Sequence, residues 1–224
     1  MTEFTILLPC LNEAKSLGFV IDEAAAEIAR LGLAAEILVA DNGSDDGSPD
    51  IAAAHGARVT HVAERGYGAA LMGGMRAADS PYIIMGDADG SYDFSNLAPF
   101  VKALRGGAAL VVGNRFAGGI ERGAMPFSHR LGVPVLSMIG RMKSGAKVGD
   151  FHCGLRGFSR DAALALGMRC PGMEFATEMI AAFAKSGARI DEVPTKLRRD
   201  LRGGRSHLRT IRDGWRHLVY MMKL

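Results

Sequence analysis

Two aspartates one residue apart, Asp87 and Asp89, follow an apolar run in the stretch YIIMGDADGSYDF, which begins at Tyr82. Buried carboxylates without partners are costly, so such a pair needs either a ligand or a turn that uses it. In an extended segment, side chains two residues apart point to the same side. The pair could therefore hold one Mg²⁺ or Mn²⁺, ions that complete their shell with water and phosphate oxygens. A surface turn with capping aspartates is the alternative.

The spacing of residues in the sequence excludes or disfavours several other motif classes. An EF-hand loop counted from Asp87 needs glycine at its sixth position and glutamate at its twelfth, where the chain has Tyr92 and Ala98. A GxGxxG fingerprint starting at Gly66 fails because Leu71 replaces its third glycine. GxxxxGK(S/T), HExxH and GxSxG patterns are also missing from the sequence. These absences weigh against a calcium loop, a dinucleotide oxidoreductase, a P-loop NTPase, a zinc protease and an α/β-hydrolase.

Short apolar runs alternate with helix-like segments along the chain. They predict strands at 4–9, 36–41, 57–62, 82–87, 108–115 and 188–198. The intervening segments predict helices at 14–31, 46–56, 66–78, 96–105, within 125–145, and at 173–187. No element is predicted for the mixed run DFHCGLRGFSR at 150–160. The alternation indicates an α/β fold of three layers, in which helices cover both faces of a largely parallel central sheet.

Polar turns follow the first five predicted strands. They are PCLNE (9–13), DNGSDDG (41–47), ERGYG (64–68), DADG (87–90) and GNRF (113–116). Ligands of parallel sheets bind beyond the carboxyl ends of the strands, so turns at one edge predict one shared site. Each turn taken singly is also ordinary loop chemistry.

Three of these turns offer specific chemistry. Glu13 and Asp41 end neighbouring strands, where a carboxylate could accept hydrogen bonds from a base or a ribose. The turn from Gly66 to Gly68 opens a helix whose first amides could face an anion.

The motifs together resemble those of family 2 glycosyltransferases. PCLNE, DNGSDDG, GYGAAL, GDADGSYDF, GNRF and DFHCGLRGF occur in the expected order, and the resemblance covers roughly residues 4 to 220. The chain looks like the branch related to dolichyl-phosphate mannose synthase and the polyprenyl-phosphate glycosyltransferases. This resemblance implies a GT-A fold, a nucleotide-sugar donor of the UDP-glucose or GDP-mannose type, and Mn²⁺ or Mg²⁺ as cofactor. It also implies a lipid-phosphate acceptor and a single displacement with inversion at the anomeric carbon.

The resemblance carries over onto individual positions. Asp87 and Asp89 would flank the diphosphate and bind the metal, whereas Pro9, Glu13 and Asp41 would lie near the base and ribose. The full set expected to bind the nucleotide-sugar is Pro9, Asn12, Glu13, Asp41, Gly43, Gly66, Gly68, Asp87, Ala88, Asp89 and Arg205. The mannose synthases carry glutamine at the position of Ser91, so the third metal ligand is open, with Asp93 acting through water as one candidate.

The acceptor decides which further groups catalysis requires. A lipid monophosphate is already anionic near pH 7 and needs cations to hold it, for which Arg115, Arg130, Arg199 and Arg205 are candidates. In relatives, the position of Arg115 lies by the acceptor phosphate or sugar. The basic run GGRSH at 203–207 resembles a loop that closes over the diphosphate, although a glycine-rich linker is the alternative.

A hydroxyl acceptor on a lipid, a saccharide or a small molecule would need a general base instead. Asp150, His152 and Glu178 are the candidates, and with Asp89 and Arg115 they form the predicted catalytic set. His152 could equally pack beside its neighbours without a chemical role. A nucleotide-sugar binding protein without catalysis is a further alternative, which the intact pair of aspartates argues against.

Composition limits the class of protein. The 224 residues, 48% of them hydrophobic, suit a single domain over 1–224. Three scattered cysteines predict neither a disulfide framework nor a zinc site and fit a reducing cytosol. We find no signal peptide and no apolar run of about 18 residues, so no transmembrane helix is predicted. A net charge of +3 gives no reason to expect nucleic acid as a partner.

The C-terminal segment, at about 206–224, predicts a basic amphipathic helix. From Arg198 to Leu224 the chain has eight Lys or Arg and two Asp, and apolar residues recur there at helical spacing. Such helices can lie on a membrane surface, whereas a helix docked on the domain is the alternative. We expect a cytoplasmic enzyme, peripheral at the cytoplasmic face of a membrane, with a membrane surface or a membrane protein as partner.

Overall fold

The computed structural model describes residues 1–202 and 210–222, and for 210–213 it describes the backbone. Its strands are β1 (Phe4–Cys10), β2 (Ala35–Asp41), β3 (Arg58–His61), β4 (Tyr82–Met85), β5 (Leu110–Asn114), β6 (Arg156–Ser159) and β7 (Ile190–Pro194). Within these residues the strands form one sheet in the order β3-β2-β1-β4-β6-β5-β7. All neighbours pair in parallel except β6, which is antiparallel to both β4 and β5. The predicted α/β class with a largely parallel sheet is confirmed.

The helices connect the strands and cover the sheet. They are α1 (Leu17–Leu31), α2 (Ser48–Ala54), α3 (Tyr67–Ala77), α4 (Ala98–Arg105), α5 (Arg115–Gly118), α6 (Phe127–Ser144), α7 (Arg160–Ala165), α8 (Phe175–Lys185) and α9 (Thr210–Met222). Helix α3 packs closely on β1, because a β-carbon added at Gly74 would lie 2.3 Å from the Leu7 side chain.

The centre of the sheet forms the core and fixes the position of the first turns. Ile6, Leu7 and Leu8 of β1 are completely buried, as expected for a strand covered on both faces. The register of β1 and β2 pairs Cys10 with Asp41, so the turns after these two strands begin side by side.

Strand β6 corrects the sequence analysis, which predicted no element at 150–160. This strand separates β5 from β4, so the turn after β5 is not beside the turn after β4. Because β6 runs antiparallel, Arg156 at its start pairs with Met85 and Val112 near the ends of β4 and β5. The loop that precedes β6 therefore reaches the same edge as the turns after the parallel strands.

The C-terminal helix is present as α9 over the described part of the predicted span. The remaining predicted residues, 206–209 and 223–224, lie outside the described residues, as does the GGRSH run with Arg205. Among the helices that the structure describes, none combines the length and the apolarity needed to cross a bilayer.

Candidate active site

Three carboxylates lie close together beyond the ends of β1 and β4. Burial raises the pKa of Glu13 to about 7 and that of Asp87 to about 6, and repulsion by Asp89 adds to both shifts. Asp89 itself is only 6% exposed. A cluster of three carboxylates in which the pKa values of Glu13 and Asp87 are raised is a site that favours a cation.

The guanidinium of Arg202 bridges two of these carboxylates. Its Nη1 lies 3.1 Å from Oε1 of Glu13, and its Nη2 donates to Oδ2 of Asp89. The preceding residue holds the contact in place, because the amide of Leu201 donates to the Asp89 carbonyl at 2.8 Å. Arg202 was not among the arginines predicted from the sequence, which were Arg115, Arg130, Arg199 and Arg205. The signal that could have identified it is the basic run that also contains Arg199 and Arg205.

The two aspartates fit a divalent metal that takes few protein ligands. Oδ1 of Asp89 accepts the Ser91 amide at 2.9 Å, and Oδ1 of Asp87 accepts the Tyr67 hydroxyl at 3.0 Å. Carboxylate oxygens suit Mg²⁺ and Mn²⁺, which take the rest of their shell from water and phosphate. Over the described ranges, no group of three or more His, Cys, Asp or Glu side chains is arranged as a metal site.

Asp93, the candidate for a third ligand, is occupied elsewhere. Its Oδ1 accepts hydrogen bonds from the Ser95 amide at 3.1 Å and from the Ser95 hydroxyl at 2.6 Å. The same oxygen lies 3.8 Å from Nη1 of Arg198. A role for Asp93 through water stays a prediction.

The turns after β1 and β2 are joined by a hydrogen-bond network. Asn12 has a φ of 58°, a left-handed conformation that asparagine tolerates better than most residues. Its amide donates to the Ser44 hydroxyl at 2.9 Å, and its Oδ1 accepts the Asp45 amide at 2.9 Å. One turn therefore holds the other, and Pro9 pairs with Ala40 just before them.

Asp41 is prepared to remain ionised beside this network. Burial alone would raise its pKa, but hydrogen bonds from Ser44, His61 and Gly43 outweigh that effect and hold the pKa below its usual value. Gly43 is favoured here because its φ is +87°, a left-handed conformation that other residues rarely adopt.

The Gly66–Gly68 turn packs against backbone from the second half of the chain. A β-carbon at Gly66 would lie 2.2 Å from the Pro171 carbonyl oxygen, and one at Gly68 would lie 2.1 Å from that of Cys170. The Pro171 carbonyl also accepts the Ala69 amide at 3.1 Å. Part of the N-terminus of α3, where an anion was expected, is therefore occupied by this carbonyl, and contact with the nucleotide-sugar stays a prediction.

Asn42, which the sequence analysis missed, positions that turn from the other side. Its Nδ2 donates to the carbonyls of Val62 at 3.0 Å and Glu64 at 2.7 Å, and its Oδ1 accepts the Gly66 amide at 2.8 Å. Its place directly after Asp41, in a turn quoted above as DNGSDDG, was the available signal.

Arg115 and Asp150 form a buried ion pair. Nε and Nη2 of Arg115 donate to the two carboxylate oxygens of Asp150 at 2.7 and 2.8 Å, and Asp150 is completely buried. The Arg115 charge also lowers the pKa of Asp87, against the burial that raises it. The Arg115 charge is therefore within electrostatic range of the acidic cluster. The sequence gave no indication that Arg115 and Asp150 would pair.

His152 lies beside this ion pair. Its amide donates to Oδ1 of Asp150 at 3.2 Å, and its ring meets the ring of His217 edge-on at a centroid distance of 4.6 Å. Burial and the nearby His217 hold the pKa of His152 well below its usual value. Its two ring nitrogens are buried without a hydrogen-bond partner among the described residues.

Glu178 holds a loop. Its Oε1 and Oε2 accept the amides of Arg169 at 3.0 Å and Cys170 at 2.8 Å. That loop continues into the backbone that covers Gly66 and Gly68. Glu178 is thus connected to the acidic cluster through the packing of this loop. To act as the predicted general base, Glu178 would have to break its hydrogen bonds to the amides of Arg169 and Cys170.

Comparison with known families identifies the class of α/β protein. The family profile described as glycosyl transferase family 2 matches residues 5–167, and the chain belongs to this family. The resemblance stated from the motifs is therefore confirmed.

Two relatives from Haloferax volcanii extend the comparison. The low-salt glycan biosynthesis hexosyltransferase Agl6 is 36% identical over 220 residues, covering 97% of this chain and 52% of the relative. The present chain thus spans about half the length of that relative. A dolichyl-phosphate hexose transferase is 30% identical over 203 residues, covering 88% of this chain and 86% of the relative.

Solved structures agree on the fold. The glucosyl-3-phosphoglycerate synthase of Mycobacterium tuberculosis, crystallised with Mn²⁺, UDP and phosphoglyceric acid, superposes with a TM-score of 0.73 at 22% identity. The match covers 99% of this chain and 78% of the synthase. The same synthase has been crystallised with Mg²⁺ and UDP. The GT-A fold expected from the motifs is confirmed.

Proposed function

We propose that the protein is an inverting, metal-dependent hexosyltransferase that uses a nucleotide-diphosphate sugar of the UDP-glucose or GDP-mannose type. The acceptor is a polyprenyl or dolichyl phosphate. The observation that carries this proposal is the acidic cluster of Glu13, Asp87 and Asp89 beside the buried Arg115–Asp150 pair. It offers a cation site and, at the same edge of the sheet, a guanidinium that Asp150 holds in place.

On the donor side, we assign Asp87 and Asp89 to the metal and the diphosphate. A bound Mn²⁺ or Mg²⁺ would offset the negative charge that grows on the departing nucleoside diphosphate. Asp41 would accept hydrogen bonds from the base or ribose, because its carboxylate is held ionised. Names of relatives support a hexosyl donor and a dolichyl-phosphate acceptor, and the Mn²⁺ and UDP of the synthase support the cofactor.

On the acceptor side, we assign Arg115 to the lipid phosphate. Its Nε and Nη2 are used by Asp150, so Nη1 is the atom directed to the acceptor in this proposal. A phosphate oxygen attacks the anomeric carbon, its bond to the sugar forms, and the bond to the diphosphate breaks with inversion. The phosphate is already ionised, so the step needs no general base.

Two of the three candidate bases already bind other groups, which favours a lipid phosphate over a hydroxyl as acceptor. Asp150 is paired with Arg115, and both oxygens of Glu178 accept backbone amides. His152 is the candidate base whose ring nitrogens have no partner among the described residues. Transfer to a hydroxyl acceptor would therefore need His152 as its general base.

A membrane lipid as acceptor brings the enzyme to a membrane surface. We propose the cytoplasmic face, in line with its free cysteines Cys10, Cys153 and Cys170. The single domain over 1–224 is part of the same proposal.

The test is a transfer assay. The protein is incubated with Mn²⁺, UDP- and GDP-sugars and a polyprenyl phosphate, and glycolipid is detected by mass spectrometry. One donor is expected to give a glycolipid product, and His152→Ala is expected to retain turnover. Turnover with a hydroxyl acceptor alone, lost in His152→Ala, would replace the proposed acceptor, and binding of nucleotide without turnover would indicate a non-catalytic protein.

A further inference from the structure

Helix α6 exposes a continuous apolar stripe. Its members are Phe127, Leu131, Val135, Met138 and Met142, with exposed fractions between 48% and 78%. These residues follow one another at spacings of four, four, three and four, so they lie along one face of the helix. Isolated exposed apolar residues are ordinary, but a contiguous row on one helix marks an interaction surface.

The opposite side of α6 supplies its attachment to the protein. Ser137 is completely buried and its hydroxyl accepts the Phe151 amide at 3.1 Å. A β-carbon at Gly140 would lie 2.7 Å from the Phe151 ring. The α6 apolar stripe is therefore the outward face of a helix that is already well packed, and the described residues leave it uncovered.

The surroundings of the stripe are basic. The segment 122–149 contains five Lys or Arg and no Asp or Glu. Arg130, Arg141, Lys143 and Lys147 are all exposed. Helix α9 packs against α6 and also exposes apolar side chains, Trp215 and Met222. Exposed apolar residues flanked by cations are the features of helices that lie in the interface of an anionic bilayer.

We propose that the α6 apolar stripe inserts into the interfacial region of an anionic phospholipid membrane. The charge pattern favours this occupant over a second copy of the chain, because a two-fold contact through this face would bring like charges together. The inference extends the proposed function, in which the acceptor is a lipid held in such a membrane, and the acidic cluster and the stripe then belong to one enzyme working at the bilayer surface.

The test measures partition of the full chain onto vesicles of phosphatidylcholine with and without about one third phosphatidylglycerol, an anionic lipid. Binding is expected on the anionic vesicles and is expected to weaken in high salt. Leu131→Ser with Met142→Ser is expected to lower the partition coefficient about tenfold, because two apolar anchors are lost. The matched control is Leu164→Ser, a change of an exposed leucine on α7, which is expected to bind as the wild type does.

Three results would overturn the proposal. They are equal binding of the double variant and the wild type, no binding of the wild type to anionic vesicles, and a concentration-dependent dimer by sedimentation that the double variant abolishes. Circular dichroism checks that the double variant is folded, and a loss of binding in a folded protein supports the proposal.

A second readout separates this inference from the proposed function. Turnover is compared between a polyprenyl phosphate in vesicles and a short-chain, water-soluble prenyl phosphate. The double variant is expected to lose turnover on the first and to keep it on the second. If the wild type binds vesicles through the stripe but transfers sugar to neither acceptor, membrane insertion of the stripe is supported and the proposed acceptor is wrong. If turnover on the vesicle acceptor is unchanged in the double variant, the stripe has no part in reaching the membrane.

Discussion

Arg202 provides the positive charge at Glu13 and Asp89, the same carboxylates at which a divalent cation is proposed to bind. A guanidinium and a metal ion cannot both neutralise these groups fully, so metal binding competes with this arginine. We expect Arg202→Gln to raise the affinity for Mn²⁺, measured without nucleotide by electron paramagnetic resonance, by about fivefold, which corresponds to ~1 kcal/mol for a partly exposed ion pair.

The control for this change is Arg199→Gln, since Arg199 Nε donates to the Arg122 carbonyl rather than to the acidic cluster. Its Mn²⁺ affinity is expected to match that of the wild type. A weaker affinity in Arg202→Gln would show that the arginine assists metal binding.

Asp150 is expected to act chiefly by holding Arg115. Asp150→Asn leaves a buried guanidinium without its counter-charge, which costs about 3 kcal/mol of unfolding free energy by urea denaturation. In the double variant Arg115→Met with Asp150→Asn, the loss is expected to be smaller than the sum of the single losses, because the unpaired charge is removed as well. Additive losses would contradict an energetic coupling between the two side chains.

At the scale of elements, loop 170–172 packs so closely on the start of α3 that a single added methyl group would test the contact. Gly68→Ala places a β-carbon 2.1 Å from the Cys170 carbonyl, so the loop or the helix must shift. We expect a loss of about 2 kcal/mol or more in unfolding free energy, read from thermal or urea denaturation.

The matched control is Gly132→Ala in α6, where nothing lies within 4 Å of the new β-carbon. That change is expected to be neutral or stabilising by up to about 1 kcal/mol, because alanine favours the helix. Equal effects of the two substitutions would mean that the contact with Cys170 carries no energetic weight.

Strand β6 illustrates what the sequence could not reveal at this scale. Its four residues, RGFS, have neither an apolar run nor an alternating pattern, and they begin with an arginine. Arg156 is nevertheless completely buried, because its guanidinium donates to the carbonyls of Cys153 at 2.8 Å, Ala176 at 2.6 Å and Phe151 at 2.9 Å. Local propensity cannot anticipate acceptors that arrive from a loop and from a distant helix.

At the scale of the whole molecule, the fold class and the places of the first polar turns could be predicted from the sequence. The apolar runs of β1, β2 and β4 and the polar turns after them follow from local rules, so the sequence predicted that Glu13, Asp87 and Asp89 would lie at one edge of the sheet, as they do. Their roles stay predictions. The surroundings of Arg115 depend on long-range pairing. Antiparallel β6 brings Asp150 and His152 to the same edge as the polar turns, and the partners of Glu178 become known only when the chain is folded.

The measurement that tests the central claim most directly is release of nucleoside diphosphate from UDP-glucose and GDP-mannose in the presence of a polyprenyl phosphate. It is made with Mn²⁺ and with a chelator, for the wild type and for Asp89→Asn. We predict release that requires Mn²⁺ and acceptor together, and a fall of at least about a hundredfold in Asp89→Asn, because a proposed ligand of the metal that would offset the charge on the departing diphosphate is lost. Release at the wild-type rate in the chelator, or in Asp89→Asn, would contradict the claim.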